Sequence, residues 1–127
     1  MVYAHGTLKE KREHKMKAFG YFKGMPYKRS NEEFEDYRKL KNSIPKSKII
    51  EHMESLEVGL ATPPTYDMFT GEKLHAGAIW DGNFVFPYEF LHYYKNYDIG
   101  IPYDYEAYLR DVVGIKGEDG GKDKGGE

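Results

Sequence analysis

The sequence predicts a small α+β protein of one domain, and three observations lead to this fold class. The chain has 127 residues, a length that suits one domain with one core. Segments with the 3.6-residue period of helices lie toward both ends, and a strand-like stretch with an Asp-Gly pair lies between them. We therefore expect one domain over residues 1–115, with three N-terminal helices, a short antiparallel β-hairpin or sheet and two C-terminal helices. Residues 116–127 hold only Gly, Lys, Asp and Glu and should form a disordered tail.

Capping residues and apolar spacing predict the N-terminal helices, over about 7–20, 30–44 and 47–57. The first two open with a Ser or Thr that Glu follows three positions later, which is the pattern of a capping box. The first helix carries apolar residues only at its two ends, so it can bury little surface. We therefore expect residues 1–29 to be a basic arm that is mobile unless a partner orders it.

The middle of the chain has the pattern of a β-hairpin. Residues 81–82 are Asp-Gly and separate the runs AIW and NFVF, and such a two-residue turn needs positive φ at both positions. Residues 70–71, Thr-Gly, indicate another turn, so we expect two or three short antiparallel strands. Proline at the first helical position then predicts one helix from Pro87 and a second from Pro102, the latter ending at Gly114.

The net charge of -2 conceals two halves of opposite sign. Residues 1–48 hold thirteen Lys or Arg against six Asp or Glu, a net of +7, while residues 49–127 hold six against fifteen, a net of -9. This asymmetry favours charged partners, unless the two halves attract each other within the domain. The chain has no cysteine, and it shows neither a signal-peptide pattern nor a long apolar run, so we expect a cytoplasmic protein that does not enter a membrane.

Residues 80–109 combine many tyrosines and phenylalanines with acidic residues. A helix of period 3.6 could not hide all of these rings behind one face, so some tyrosines should be exposed. Exposed tyrosine beside carboxylate is typical of protein-binding surfaces, and it would dock into the basic groove of a nucleic-acid-binding protein or nucleoprotein complex. The predicted contact residues are Tyr88, Glu89, Tyr94, Tyr97, Asp98, Tyr103, Asp104 and Glu106. The alternative is that the rings form the core of a domain poor in aliphatic residues.

The basic N-terminal half favours a second function, direct binding of RNA or DNA. Its lysines and arginines alternate with aromatic rings, a composition that suits a phosphate backbone and stacked bases. Glu10 and Glu13 interrupt the basic run, and a solvated polar helix is the alternative. The candidate residues are Lys9, Lys11, Arg12, Lys15, Lys17, Lys28 and Arg29.

The sequence carries no motif for catalysis, for a cofactor or for a metal. It lacks a Gly-x-Ser-x-Gly elbow, a Gly-rich phosphate loop and a His pair at the i, i+4 spacing. Glu89 and His92 form one Glu-x-x-His pair, whereas a di-iron bundle needs two. We therefore predict a non-enzymatic binding protein without cofactor or metal, and an enzyme that uses Glu89 and His92 is the third alternative.

A small, cysteine-free, tyrosine-rich chain of this kind resembles the accessory proteins of phages and mobile elements. Anti-CRISPR proteins, which inhibit host nucleases, are among them. The resemblance rests on composition and covers no specific motif. It implies an inhibitor of the anti-CRISPR or anti-restriction type that blocks its partner by occupying the nucleic-acid groove.

Overall fold

The computed structural model describes residues 16–116, which form a four-stranded mixed sheet and four α-helices. The strands are β1 (Lys17–Ala18), β2 (Leu60–Tyr66), β3 (Lys73–Asp81) and β4 (Phe84–Pro87). The helices are α1 (Phe34–Tyr37), α2 (Lys46–Glu54), α3 (Glu89–Asn96) and α4 (Tyr103–Tyr108), and α4 continues into a π-helical turn at Leu109–Val113. The strand order is β1-β4-β3-β2, with β1 parallel to β4 and the other pairs antiparallel.

The predicted order of elements is wrong, although the protein is a small α+β fold. The described chain opens with a strand instead of a helix, and the three remaining strands follow α2 in the middle of the chain. The sheet is mixed, not a simple antiparallel hairpin. Long-range pairing of β1 with β4 produces this difference, and local sequence patterns do not show such pairing.

The helix predicted over 7–20 is replaced at its C-terminal end by β1. Phe19 follows this strand and packs its ring 5.1 Å from that of Phe86, so the segment is fixed by the sheet. Gly20 then redirects the chain with a φ of 83°. Residues 7–15 of this predicted helix lie outside the described residues.

The helix predicted over 30–44 contracts to the four residues of α1. Ser30 does not cap it, because its hydroxyl accepts a hydrogen bond from a backbone amide of the preceding loop. Farther along, the amides of Ser43 and Ile44 donate to the Glu106 carboxylate at 2.6 and 3.0 Å. A tertiary acceptor thus takes the amides that a longer helix would have used.

The remaining helices and the hairpin lie close to their predicted positions. Strands β3 and β4 form the hairpin, but Asp81 pairs with Phe84, so the loop is Gly82 and Asn83. Only Gly82 has positive φ, at 62°, which is the pattern of a type II′ turn. Pro87 ends β4 instead of opening α3, which begins two residues later.

The extended segment ATPPTY is the edge strand β2. Its pairing with β3 shifts register across residues 63–64, both proline, because proline has no amide hydrogen for the ladder. On β3, Gly77 has a φ of 152°, and an added Cβ would overlap the carbonyl oxygen of Leu60. Glycine is therefore required where the two strands approach.

The core lies between the inner face of the sheet and helices α3 and α4, and it is mainly aromatic. Phe86 of β4 contacts Phe90 of α3 and Tyr105 of α4, with ring centroids 6.1 and 6.0 Å apart. Tyr94 and Tyr105 are each at most 1% exposed. Most rings of residues 80–109 thus belong to the core, as the alternative interpretation of this segment holds.

Candidate functional site

Four acidic side chains are buried in the described chain, and the protein supplies hydrogen-bond donors to each of them, although one oxygen of Glu89 has none among residues 16–116. They are Asp67, Asp81, Glu89 and Glu106. Tyrosine hydroxyls donate to three of them over distances of 2.6 to 3.0 Å; these donors are Tyr27, Tyr97, Tyr105 and Tyr108. Buried phenol tips need acceptors and buried carboxylates need donors, so each group satisfies the other.

Asp81 connects three elements through one carboxylate. It accepts hydrogen bonds from Tyr105 at 2.7 Å and from Tyr108 at 3.0 Å, and it lies 2.8 Å from Nε2 of His52. Burial, and then the hydrogen bond to Asp81, raise the pKa of Tyr105. The aspartate of the hairpin therefore joins α2 and α4 to β3.

The eight residues predicted for an acidic binding surface do not all lie at the surface. Glu89, Tyr94 and Glu106 are buried. Burial alone would raise the pKa of the Glu106 carboxyl, but hydrogen bonds from Asn42 and from the segment that follows outweigh it and lower this pKa. The remaining five are exposed or half-buried: Tyr88, Tyr97, Asp98, Tyr103 and Asp104.

Three of these five are engaged within the protein. Tyr97 donates its hydroxyl hydrogen to Asp67, and Asp104 forms an ion pair with Lys17 at 3.0 Å. Tyr103 is 54% exposed, and its hydroxyl accepts a hydrogen bond from the backbone amide of Lys41. The exposed acidic surface is therefore smaller than the sequence suggests.

The basic residues predicted to contact nucleic acid fall into two groups. Four of them lie outside the described residues: Lys9, Lys11, Arg12 and Lys15. Lys17 is exposed and paired with Asp104. Lys28 and Arg29 are exposed and line a groove of about 350 Å³ beside the sheet.

The floor of this groove is the outer sheet face, the side of the sheet turned away from the core. Paired residues share a face, and the register therefore places five side chains there: Ala18, Leu60, Ala78, Trp80 and Val85. Trp80 is 44% exposed and Leu60 is 55% exposed. Trp80 and Leu60 thus present exposed apolar surface on this face of the described chain, whereas Val85 is 4% exposed.

The indole ring of Trp80 is held in place by backbone packing. A Cβ added to Gly59 would lie 2.6 Å from Cε3 of Trp80, so the ring occupies space that only glycine leaves free. Sequence reasoning missed Trp80 as a binding residue. The signal was present, because alternation along β3 places Trp80 on the opposite face from Ile79, which is buried.

Two cations stand at the rim of the groove. The guanidinium carbon of Arg29 lies 5.4 Å from the centre of the Tyr21 ring, in a cation–π contact. Burial raises the pKa of Tyr21, and the nearby charge of Arg29 opposes that rise. Lys28 and Arg29 are the charged residues that line the groove, and neither pairs with a carboxylate within residues 16–116.

Comparison with known proteins gives no assignment. No family model, curated protein or solved structure matches the chain. The function is therefore inferred from the geometry of the molecule.

No helix in the described part is long and apolar enough to cross a membrane. Nor do three His, Asp or Glu side chains within residues 16–116 gather as a metal site.

The Glu-x-x-His pair of α3 serves two different networks. Glu89 accepts hydrogen bonds from Tyr27 and Thr65, whereas Nε2 of His92 lies 2.7 Å from Asp67. The hydrogen bond from His92 helps to lower the pKa of the Asp67 carboxyl, which burial alone would raise. The two side chains are thus not aimed at a common ion or substrate atom.

Proposed function

We propose that this protein binds single-stranded RNA or DNA on the outer sheet face. A base stacks on Trp80 while Lys28 and Arg29 contact the adjacent phosphates. The observation that supports this most directly is the exposed indole ring beside two cations, in a groove that no carboxylate of residues 16–116 lines. Stacking on an aromatic platform combined with a basic groove is the usual means of binding a single strand.

The sequence that directly precedes Met16 of the groove is also rich in basic residues. Lys15 precedes Met16, and Lys9, Lys11 and Arg12 lie earlier in the same segment. This charge would steer a polyanion toward the outer sheet face.

Tryptophan fluorescence provides a direct test, because the chain contains one tryptophan. Oligothymidylate or oligouridylate, added at low salt, should quench the emission of Trp80 as a base stacks on the indole. An abasic strand of equal length retains the phosphates and should bind more weakly with little quenching. Absence of binding by all three strands at low salt would overturn the proposal.

Substitution of the ring separates stacking from charge. Trp80→Ala should weaken binding of labelled oligothymidylate by about 5- to 150-fold, which corresponds to about 1 to 3 kcal/mol for one stacked base. Tyr66→Ala, which removes another exposed ring outside the groove, should bind as the wild type does. Fluorescence anisotropy measures both affinities.

Substitution of the cations tests the phosphate contacts. Lys28→Ala with Arg29→Ala should lower the slope of log K against log salt by about 1.4 to 1.8, at about 0.7 to 0.9 per lost contact. Lys39→Ala with Lys48→Ala removes the same charge from other exposed positions and should leave the slope unchanged. Equal slopes for the two double variants would exclude Lys28 and Arg29 as phosphate ligands.

Docking of the acidic, tyrosine-rich segment into a basic protein groove stays a second proposal, favoured by the exposure of Tyr103 beside Asp104. Retention of a protein partner after nuclease treatment would support it, provided that Asp98→Lys with Asp104→Lys loses the partner and Trp80→Ala keeps it.

Two further properties remain predictions from composition and the absence of cysteine: inhibition of a nuclease of phage or mobile-element hosts, and a cytoplasmic location.

A further inference from the structure

A second cavity, of about 340 Å³, lies between α2, α3 and the start of β3. Its floor is apolar and consists of buried side chains: Met53, Leu74, Ile79 and Leu91. Its walls carry polar and charged groups from the same three elements. This volume, together with an apolar floor and a few polar groups, is typical of a small-molecule site. Among residues 16–116 the cavity shares no lining residue with the groove at Trp80, although Tyr27 of the groove donates a hydrogen bond to Glu89 of the cavity.

Glu89 lines this cavity and is 1% exposed. Its Oε2 accepts hydrogen bonds from the hydroxyls of Tyr27 and Thr65, at 2.6 and 2.7 Å. Its Oε1 is buried and has no hydrogen-bond partner among residues 16–116. Because a buried carboxylate oxygen without a donor is unfavourable, a small movement of the Glu89 side chain toward an N–H group in the cavity would gain a charge-assisted hydrogen bond.

The charges that line the cavity favour a cationic ligand. The described lining includes the imidazoles of His75 and His92 as well as three carboxylates, Glu54, Glu72 and Glu89, which outnumber the ammonium groups of Lys73 and Lys95. Lys95 is already paired with Glu54 at 2.7 Å, so its ammonium group does not neutralise the charge of Glu89. An anionic ligand would therefore meet the like charge of these carboxylates.

We propose that this cavity binds a small organic cation, an amine or amidine with a flat apolar body. The cationic group donates a hydrogen bond to Oε1 of Glu89, and the apolar body covers Leu74 and Leu91 on the floor. An anion of the same shape has no donor for Oε1 and is rejected by the charge of Glu89.

Benzamidine and benzoate are the matched probes, because they share a ring and differ in charge. Benzamidine should raise the melting temperature in a concentration-dependent manner and shift amide resonances around the cavity, whereas benzoate should do neither. Equal binding of the two probes would overturn the proposal. So would the absence of benzamidine binding at about 10 mM, which is weaker than specific binding of a small fragment.

Two variants test whether benzamidine binds in this cavity. Glu89→Gln keeps one acceptor oxygen but replaces the other oxygen with an NH₂ group, so benzamidine should bind about tenfold more weakly or worse. Val58→Trp, at the half-exposed rim, should fill the cavity and block binding without touching the buried carboxylate. Val112→Trp, exposed and outside the cavity, is the control. Unchanged affinity in Val58→Trp with a wild-type circular dichroism spectrum would overturn the assignment.

Discussion

Tyr105 illustrates why tyrosine occupies so much of this core. Its ring packs against Phe19 and Phe84, with centroids 4.8 and 5.1 Å away, while its hydroxyl donates to Asp81 at 2.7 Å. One side chain therefore buries apolar surface and also satisfies a buried carboxylate. An aliphatic residue could fill the same volume but would leave Asp81 with one donor fewer.

The hydroxyl of Tyr105 should therefore contribute measurably to stability. Tyr105→Phe is expected to lower the free energy of unfolding by about 1 to 3 kcal/mol, because the ring remains and a buried acceptor loses its donor. Tyr66→Phe, at an exposed ring, should change it by less than about 0.5 kcal/mol. Urea unfolding followed by circular dichroism measures both values, and equal effects would contradict the role assigned to Tyr105.

Helical periodicity could not predict the burial of Glu89 and Tyr94. That method assumes that one face of a helix is covered. Helix α3 is covered on more than one side, because the consecutive residues Glu89, Phe90 and Leu91 are all buried and successive positions of a helix point in different directions. Which other segments pack on a helix depends on distant parts of the chain, so the number of buried faces is a tertiary property.

At the scale of elements, the approach of β2 to β3 depends on Gly77. Gly77→Ala should destabilise the protein by more than about 2 kcal/mol, since the methyl group meets the Leu60 carbonyl as well as an unfavourable φ. Gly71→Ala, where φ is also positive but nothing lies within 4 Å, should cost about 1 to 2 kcal/mol.

Thermal unfolding of the two glycine variants measures these costs, and amide hydrogen exchange in β2 locates them. Exchange should accelerate across Leu60–Tyr66 in Gly77→Ala and stay unchanged there in Gly71→Ala. Equal melting temperatures would show that the close approach of the strands does not require glycine.

Elements with local signals were predictable, and elements made by distant contacts were not. The Asp-Gly pair marks the β3–β4 hairpin, and apolar spacing marks α2. Strand β1 has two residues and exists because it pairs with β4, so it leaves no periodic pattern. Helix α1 stops early because the chain beyond it bonds Glu106 of α4.

For the whole molecule, the buried carboxylates determine how stability changes as the pH falls. Hydrogen bonds hold the pKa values of Asp67 and Glu106 below their usual values of 3.8 and 4.5, although burial opposes this. A depressed folded-state pKa stabilises the fold above the unfolded value, and this contribution is lost as pH falls through the folded value. We therefore expect the melting temperature to fall steeply below about pH 4.

Variants identify the groups responsible for this acid sensitivity. Asp67→Asn and Glu106→Gln should each lower the melting temperature at pH 7 and flatten its decline below about pH 4, because the lost group no longer titrates. Glu51→Gln, at an exposed position, should retain the wild-type profile. A wild-type profile in both buried variants would contradict the assignment.

Among residues 16–116, the charges of the basic and acidic halves of the sequence mostly do not pair with each other. Lys17 and Asp104 form the ion pair between the basic and acidic halves among residues 16–116, whereas pairs such as Lys23–Glu33 and Lys95–Glu54 lie within one half. Sequence alone could show the asymmetry but not the pairing.

The prolines of β2 determine how other chains can approach this protein. An incoming strand needs consecutive amide and carbonyl groups along an open edge, and residues 63–64 interrupt them with two positions that have no amide hydrogen. At the opposite edge, β1 offers only two residues. Among the described residues, neither edge of the sheet offers a long uninterrupted strand for intermolecular β-pairing. Concentrated solutions should therefore remain free of fibrils, and other chains should bind to the faces of the sheet.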